Sequence, residues 1–168
     1  MLIETEATPN PSTRKFLPGT TVMDAGSRDF PDAESAKASP LAEALFATGE
    51  VEGVFFGRDF ISVTAQPEVD WRGLEVDVIQ ILLDHFVSGA PLFRPGTAAG
   101  IHVAADDSFD EDPADAEIVE QIKELLETRV RPAVAQDGGD IVYRGYKGGI
   151  LFLQMQGACS GCPSSAVT

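Results

Sequence analysis

Apolar residues recur along this chain at two different periods, and the changes of period mark its elements. Val51–Phe56 and Phe60–Gln66 are β-branched and aromatic runs joined across Gly57-Arg58-Asp59, the pattern of a hairpin with a glycine in its turn. Leu2–Glu6 and Thr20–Ala25 have strand length and are predicted as strands as well. A helical period takes over from about Pro40 to Thr48, where Leu41, Leu45 and Phe46 share a face, Ser39 is placed to cap, Pro40 fits the first turn and Gly49 stops the helix. It returns over Trp71–Ser88, with Trp71, Leu74, Val78, Ile81, Leu82 and Phe86 on one stripe, Gly89 at the end and Pro91 beyond.

Between Pro91 and Asp112 the periodicity stops. Pro91, Pro95, Gly96 and Gly100 are followed by Asp106, Asp107, Asp110, Glu111 and Asp112 with no base among them, the composition of a solvated linker. Asp112 and Pro113 then open a helix whose stripe runs through Ile118, Ile122, Leu125 and Arg129, widened by Val119, Leu126 and Val130, and which Pro132 is expected to kink or end. Past Asp137-Gly138-Gly139-Asp140, two strand-length runs, Ile141–Lys147 and Ile150–Gln156, flank Gly148-Gly149 as a hairpin, with Leu151, Leu153 and Met155 forming an apolar face. The expected fold class is α+β (α/β) in two small domains: a mixed strand and helix module at 1–90, an acidic linker at 91–112, and a helix plus β-hairpin module at 113–168.

Charge narrows the function. Twelve Lys and Arg against 27 Asp and Glu give a formal net charge of −15 over 168 residues, and the bases are scattered. Such a surface lacks the electrostatic attraction behind most nucleic-acid binding. No run reaches the ~18 apolar residues of a membrane span, and Met1–Glu6 lacks the features of a secretory or transit leader, so no membrane association is expected. The chain is expected to work where it is made, in a bacterial-type cytoplasm, or in a mitochondrial matrix if a transit peptide has been removed.

The chemistry concentrates in the second hairpin's exit, Gly157-Ala158-Cys159-Ser160-Gly161-Cys162-Pro163. Two cysteines three positions apart in a non-secreted chain point to metal or redox chemistry. Pro163 is suited to open a helix, whose N-terminus would favour thiolate at Cys159 and Cys162, while Gly157 and Gly161 let backbone approach a bulky ligand. Soft thiolates suit iron–sulfur clusters or zinc, both of which usually take four ligands. His85, on a helix beside Asp84, and His102, in the linker, are poor substitutes, so the simplest completion is a homodimer in which each chain gives two sulfurs. A thioredoxin-like dithiol oxidoreductase, a zinc site shared between chains and an inert structural pair remain as alternatives.

Val134-Ala135-Gln136-Asp137-Gly138-Gly139-Asp140 followed by Gly157–Ser165 resembles the NifU C-terminal, or Nfu-type, domain of iron–sulfur cluster carriers. Separately, Thr8-Pro9-Asn10-Pro11, Lys15-Phe16, Pro18-Gly19, Ser39-Pro40-Leu41-Ala42 and Val54-Phe55-Phe56-Gly57 with Asp59-Phe60-Ile61 resemble the N-terminal domain that precedes it in many members. The resemblance implies a scaffold without turnover chemistry. It would accept a [4Fe–4S] cluster, with [2Fe–2S] as the other form, between two protomers, from an upstream donor, and deliver it to apo-proteins, with Cys159 and Cys162 as ligands. Asp137 to Asp140 would support the loop. In the family a helix and a further strand follow the cysteines, whereas this sequence stops at Thr168, so its C-terminal block is expected to be truncated.

Overall fold

The computed structural model describes residues 1–97 and 112–160. In the first stretch β1 (Glu4–Ala7), β2 (Thr13–Leu17), β3 (Arg28–Phe30), β4 (Val51–Phe56) and β5 (Ile61–Ala65) pair antiparallel in the order β1-β2-β5-β4-β3. Three helices accompany them: α1 (Ala33–Ala36), α2 (Pro40–Phe46) and α3 (Trp71–Ser88). α2 starts as its sequence predicts, with the Ser39 side chain accepting from the Ala42 N–H and Pro40 in the first turn. α3 is capped by Asp70, which accepts from the Arg72 N–H, and ends at Gly89 with φ 65°. Because strand side chains alternate, Phe16, Val54, Phe56, Ile61 and Val63 fall on one face of the sheet. There they close a core with Leu41, Leu45, Leu74, Val78 and Leu82 from the helices.

The sequence pattern misplaces some of this. Thr20–Ala25 is a loop, not a strand: Val22 and Met23 are adjacent yet both buried, and both donate their N–H to the Arg58 carbonyl, at 2.8 and 3.1 Å. β2 escapes the apolar pattern because Arg14 and Lys15 are built into it. Arg14 lies over the Trp71 ring and pairs with Glu75, while Lys15 is buried over the Phe60 ring and pairs with Glu6. β3 and α1 are too short to show a period.

In the second stretch Asp112 caps a 3-10 turn at Pro113–Asp115 that runs on as α4 (Ala116–Leu125), a π-helical stretch over Leu126–Val130, and α5 (Arg131–Gln136). Pro132 does not end the helix. Lacking an N–H and crowding the carbonyl a turn behind it, it is preceded by widened turns that accommodate it. The buried positions are Val119 and Leu126, whereas Ile118 and Leu125, predicted at the centre of the stripe, are 45% and 52% exposed. The helix therefore packs on one edge of the predicted stripe.

β6 (Gly139–Lys147) and β7 (Ile150–Gly157) form the predicted hairpin, with Gly148 and Gly149 at φ 59° and 82° in its two-residue turn. The expected apolar face of β7 stays open, Leu151, Leu153 and Met155 being 37%, 39% and 41% exposed. Linker residues 98–111, with His102, and residues 161–168, with Gly161, Cys162 and the helix expected at Ser164-Ser165, lie outside the described residues.

Replacing Leu45, which is fully buried, with Ala should cost about 2–5 kcal/mol of unfolding free energy. Val87→Ala, at a position 74% exposed, should change it by less than about 0.5 kcal/mol. Urea denaturation followed by circular dichroism of the full chain measures both.

Candidate functional site

Cys159 sits in the turn that leaves β7, and the geometry of that turn begins with its glycines. Gly139 and Gly157 face each other across the base of the hairpin. A Cβ on Gly139 would lie 2.6 Å from Cys159 Sγ and 2.6 Å from the Gln156 carbonyl oxygen, so Cys159 packs where only glycine leaves room. Gly157 has φ 64°, and a Cβ there would meet the Gly138 carbonyl oxygen at 2.8 Å and the Phe55 ring at 3.0 Å. Close backbone and ring packing thus requires this glycine, whatever ligand the loop receives. Ala158 donates its N–H to the Gly138 carbonyl at 3.2 Å and Ser160 donates to the Gly157 carbonyl at 3.0 Å, which folds Cys159 back over the Asp137–Asp140 turn.

The hairpin base rests on the second face of the N-terminal sheet. Asp29, Phe55, Ser62 and Lys15 are register partners in a row across β3, β4, β5 and β2, on the face opposite the helical core. Phe55 and Ser62 are each 1% exposed although they point away from that core. Phe55 lies beneath Gly157, the Ser62 hydroxyl donates to the Gly138 carbonyl, and the Asp29 carboxylate accepts from the Gly157 N–H. Burial pushes the Asp29 carboxyl above its ordinary value, against the pull of the Gly157 N–H and Arg28. Asn10 adds a contact at the sheet's end, its amide donating to the Ala158 carbonyl at 3.3 Å while its Oδ1 accepts from the Ser12 N–H at 3.1 Å.

Asp140 fixes the other side of the base. Only 5% exposed, it receives Arg131 Nε and Nη2 at 2.9 and 2.8 Å as a two-pronged pair, the Ser27 hydroxyl at 2.8 Å and the Ile141 N–H at 2.8 Å. The hydrogen bonds to Asp140 hold the Arg131 guanidinium further above its ordinary pKa.

Of the residues singled out in the sequence, the structure brings Cys159 together with Gly138, Gly139, Asp140 and Gly157. His85 is half-buried on α3, edge-on to Phe86 at 5.4 Å, with burial lowering its pKa. Among the described residues no group of three or more His, Cys, Asp or Glu could hold a metal ion, so neither His85 nor Cys159 belongs to such a set there. Ser27, Asp29 and Ser62 carry no sequence signal of their own, and Asn10 stands out only within Thr8-Pro9-Asn10-Pro11, which assigns it no role at this site. A cue existed in Val54-Phe55-Phe56, three apolar residues in a row on a strand, which require cover on both faces.

Comparison with known proteins matches residues 3–89 to the family described as scaffold protein Nfu/NifU N terminal, and residues 122–168 to the NifU-like domain. NifU-like protein 5, mitochondrial, of Arabidopsis thaliana is 51% identical over 170 residues, covering 100% of this chain and 60% of the relative. The human NFU1 iron-sulfur cluster scaffold homolog, mitochondrial, is 44% identical over 169 residues, covering 100% of this chain and 63% of the relative. The chain thus spans about three-fifths of the length of these relatives. The solution structure of a NifU-like protein from Saccharomyces cerevisiae superposes with a TM-score of 0.51 at 22% identity, over 56% of this chain and 86% of that one, a likeness of fold.

Gly139→Ala should displace the Cys159 turn and lower stability by about 1–3 kcal/mol, as overpacking does. Gly148→Ala, whose Cβ meets open space and whose cost is the positive φ alone, should cost about 1 kcal/mol and leave the turn intact. Thermal unfolding gives the first comparison; the rate of Cys159 alkylation, read by mass spectrometry, should change in Gly139→Ala and not in Gly148→Ala.

Proposed function

Because the chain belongs to the Nfu/NifU-type scaffold family, we propose that it is a carrier of iron–sulfur clusters. The cargo in this reading is a [4Fe–4S] cluster held between two protomers, each giving Cys159 and Cys162, received from an upstream donor and passed to apo-proteins. The observation that supports it best is the setting of Cys159: a soft donor at the tip of a glycine-built corner, half-exposed, on a rigid base. A cluster seated there is peripheral. A thiolate at a partly exposed turn, as Cys159 is, can be reached and replaced by that of an acceptor, which is what delivery requires and what a resident redox centre avoids.

The division into a module at 1–90, a linker at 91–112 and a cluster module at 113–168 belongs to the same proposal. No helix among the described residues is long and apolar enough to cross a membrane, and the relatives named above carry mitochondrial in their names. A matrix or a bacterial cytoplasm would equally keep the thiols reduced.

Anaerobic loading with iron and sulfide tests this. Cys159→Ser and Cys162→Ser should each remove two of the four thiolates and bring bound iron and sulfide to background, while His85→Ala retains them. Sedimentation should find the loaded chain dimeric and the cluster-free chain monomeric. A single-cysteine variant with its full iron, or a loaded monomer, would overturn the shared site.

The cluster-free chain should also reduce a test disulfide no faster than an unstructured dithiol does. Catalytic turnover in that assay would favour a dithiol oxidoreductase.

A further inference from the structure

The described structure gives the N-terminal part a relation to the cysteine loop that neither charge nor motif announces. Four polar side chains, spread from residue 10 to residue 62, converge on the base of one hairpin: Asn10 on the Ala158 carbonyl, Ser27 on Asp140, Asp29 on the Gly157 N–H and Ser62 on the Gly138 carbonyl. Three of the positions they engage, Gly138, Gly157 and Ala158, lie directly beside Cys159 or beneath it in the folded turn. The contact is dry at its centre, where Phe55 and Ala158 are 1% and 2% exposed.

This is more than incidental packing. A sheet whose second face met only water would carry polar residues on it, yet β4 places Phe55 there, and Asp29 and Ser62 stand as its register neighbours on either side. The row therefore presents one carboxylate acceptor, one aromatic floor and one hydroxyl donor in line. The hairpin base offers the complement: an N–H at Gly157, a backbone without side chains, and a carbonyl at Gly138. Neither glycine could bear a Cβ without striking the other module or the turn.

We propose that the N-terminal sheet is a positioning platform for the cysteine loop, in which Ser27, Asp29 and Ser62 act through Gly157, Gly138 and Asp140 to hold Cys159 in its cluster-receiving place. This rests on the carrier reading for its consequence, though not for the docking itself. The platform residues touch no cluster. They set how long one is kept, because a loop that is held in place loses less freedom on binding and lets its cargo go more slowly.

The test uses the full chain with Ser27→Ala, Ser62→Ala and the double variant, and Ser88→Ala on the far helix as control. In the cluster-free protein, amide exchange at Gly157, Ala158 and Ser160 should accelerate about tenfold in the double variant, with smaller increases in the singles, while Val54 and Val63 keep their protection. After loading with iron and sulfide, iron per chain at saturation should equal the parent's, but the cluster's absorbance should decay several-fold faster against a chelator. Ser62→Thr, which keeps the hydroxyl, should recover much of the lifetime. Unchanged exchange at the three loop amides would overturn the docking. Faster exchange with an unchanged cluster lifetime would overturn the positioning role. Failure of the parent to take up iron would count against the carrier reading alone, leaving the exchange arm to decide whether the platform holds the loop.

Discussion

A carboxylate withdrawn from water must be paired, and Asp140 is where that requirement ties this protein together. Its two oxygens receive the Arg131 guanidinium from the helix, the Ser27 hydroxyl from the N-terminal part and the N–H of Ile141 in its own strand. Remove one partner and the desolvation cost of the rest is no longer offset, so the helix, the strand nine residues beyond it and Ser27, 113 residues away, are obliged to stay together. The pair is charge-assisted and two-pronged, which fixes orientation as well as distance. Asp140 follows directly on Gly138 and Gly139, and through them its placement reaches Cys159.

The same corner accounts for its glycines without reference to a ligand. Gly139 is empty because Cys159 fills the space, and Gly157 turns to positive φ because Gly138 and Phe55 close in around it. A loop packed this tightly on one side, with Cys159 partly exposed and Ser160 exposed, is held where it is anchored and open where it would exchange cargo. Carriers need both properties, since a cluster bound without pre-organisation is lost and one enclosed on all sides cannot be passed on.

Much of this is legible in the order of residues. α3 shows its stripe and its Gly89 stop, the second hairpin announces itself through Gly148-Gly149, and the spacing of Cys159 and Cys162 marks the loop proposed to receive the cluster. What the pattern hides has physical causes. β2 buries Lys15 and uses Arg14 as an aromatic cover, so a strand reads as a polar segment. Val22 and Met23 read as a strand because local apolarity does not reveal that both are drawn in under Arg58. Asn10 and Ser27 are invisible as contributors to the site because their partners lie 148 and 113 residues away, and short polar side chains look alike whether they face water or a buried carboxylate. The helix face reads one edge off because Val119 and Leu126, not Ile118 and Leu125, meet the protein.

Transfer in the presence of a chelator decides whether the chain delivers an intact cluster. The loaded full chain would be mixed with an apo-acceptor that requires a [4Fe–4S] cluster, together with a chelator strong enough to capture any free iron. A carrier should activate the acceptor faster than the donor's cluster decays alone, with little iron reaching the chelator. Acceptor activation no faster than with free iron and sulfide, and abolished by the chelator, would contradict delivery of an intact cluster.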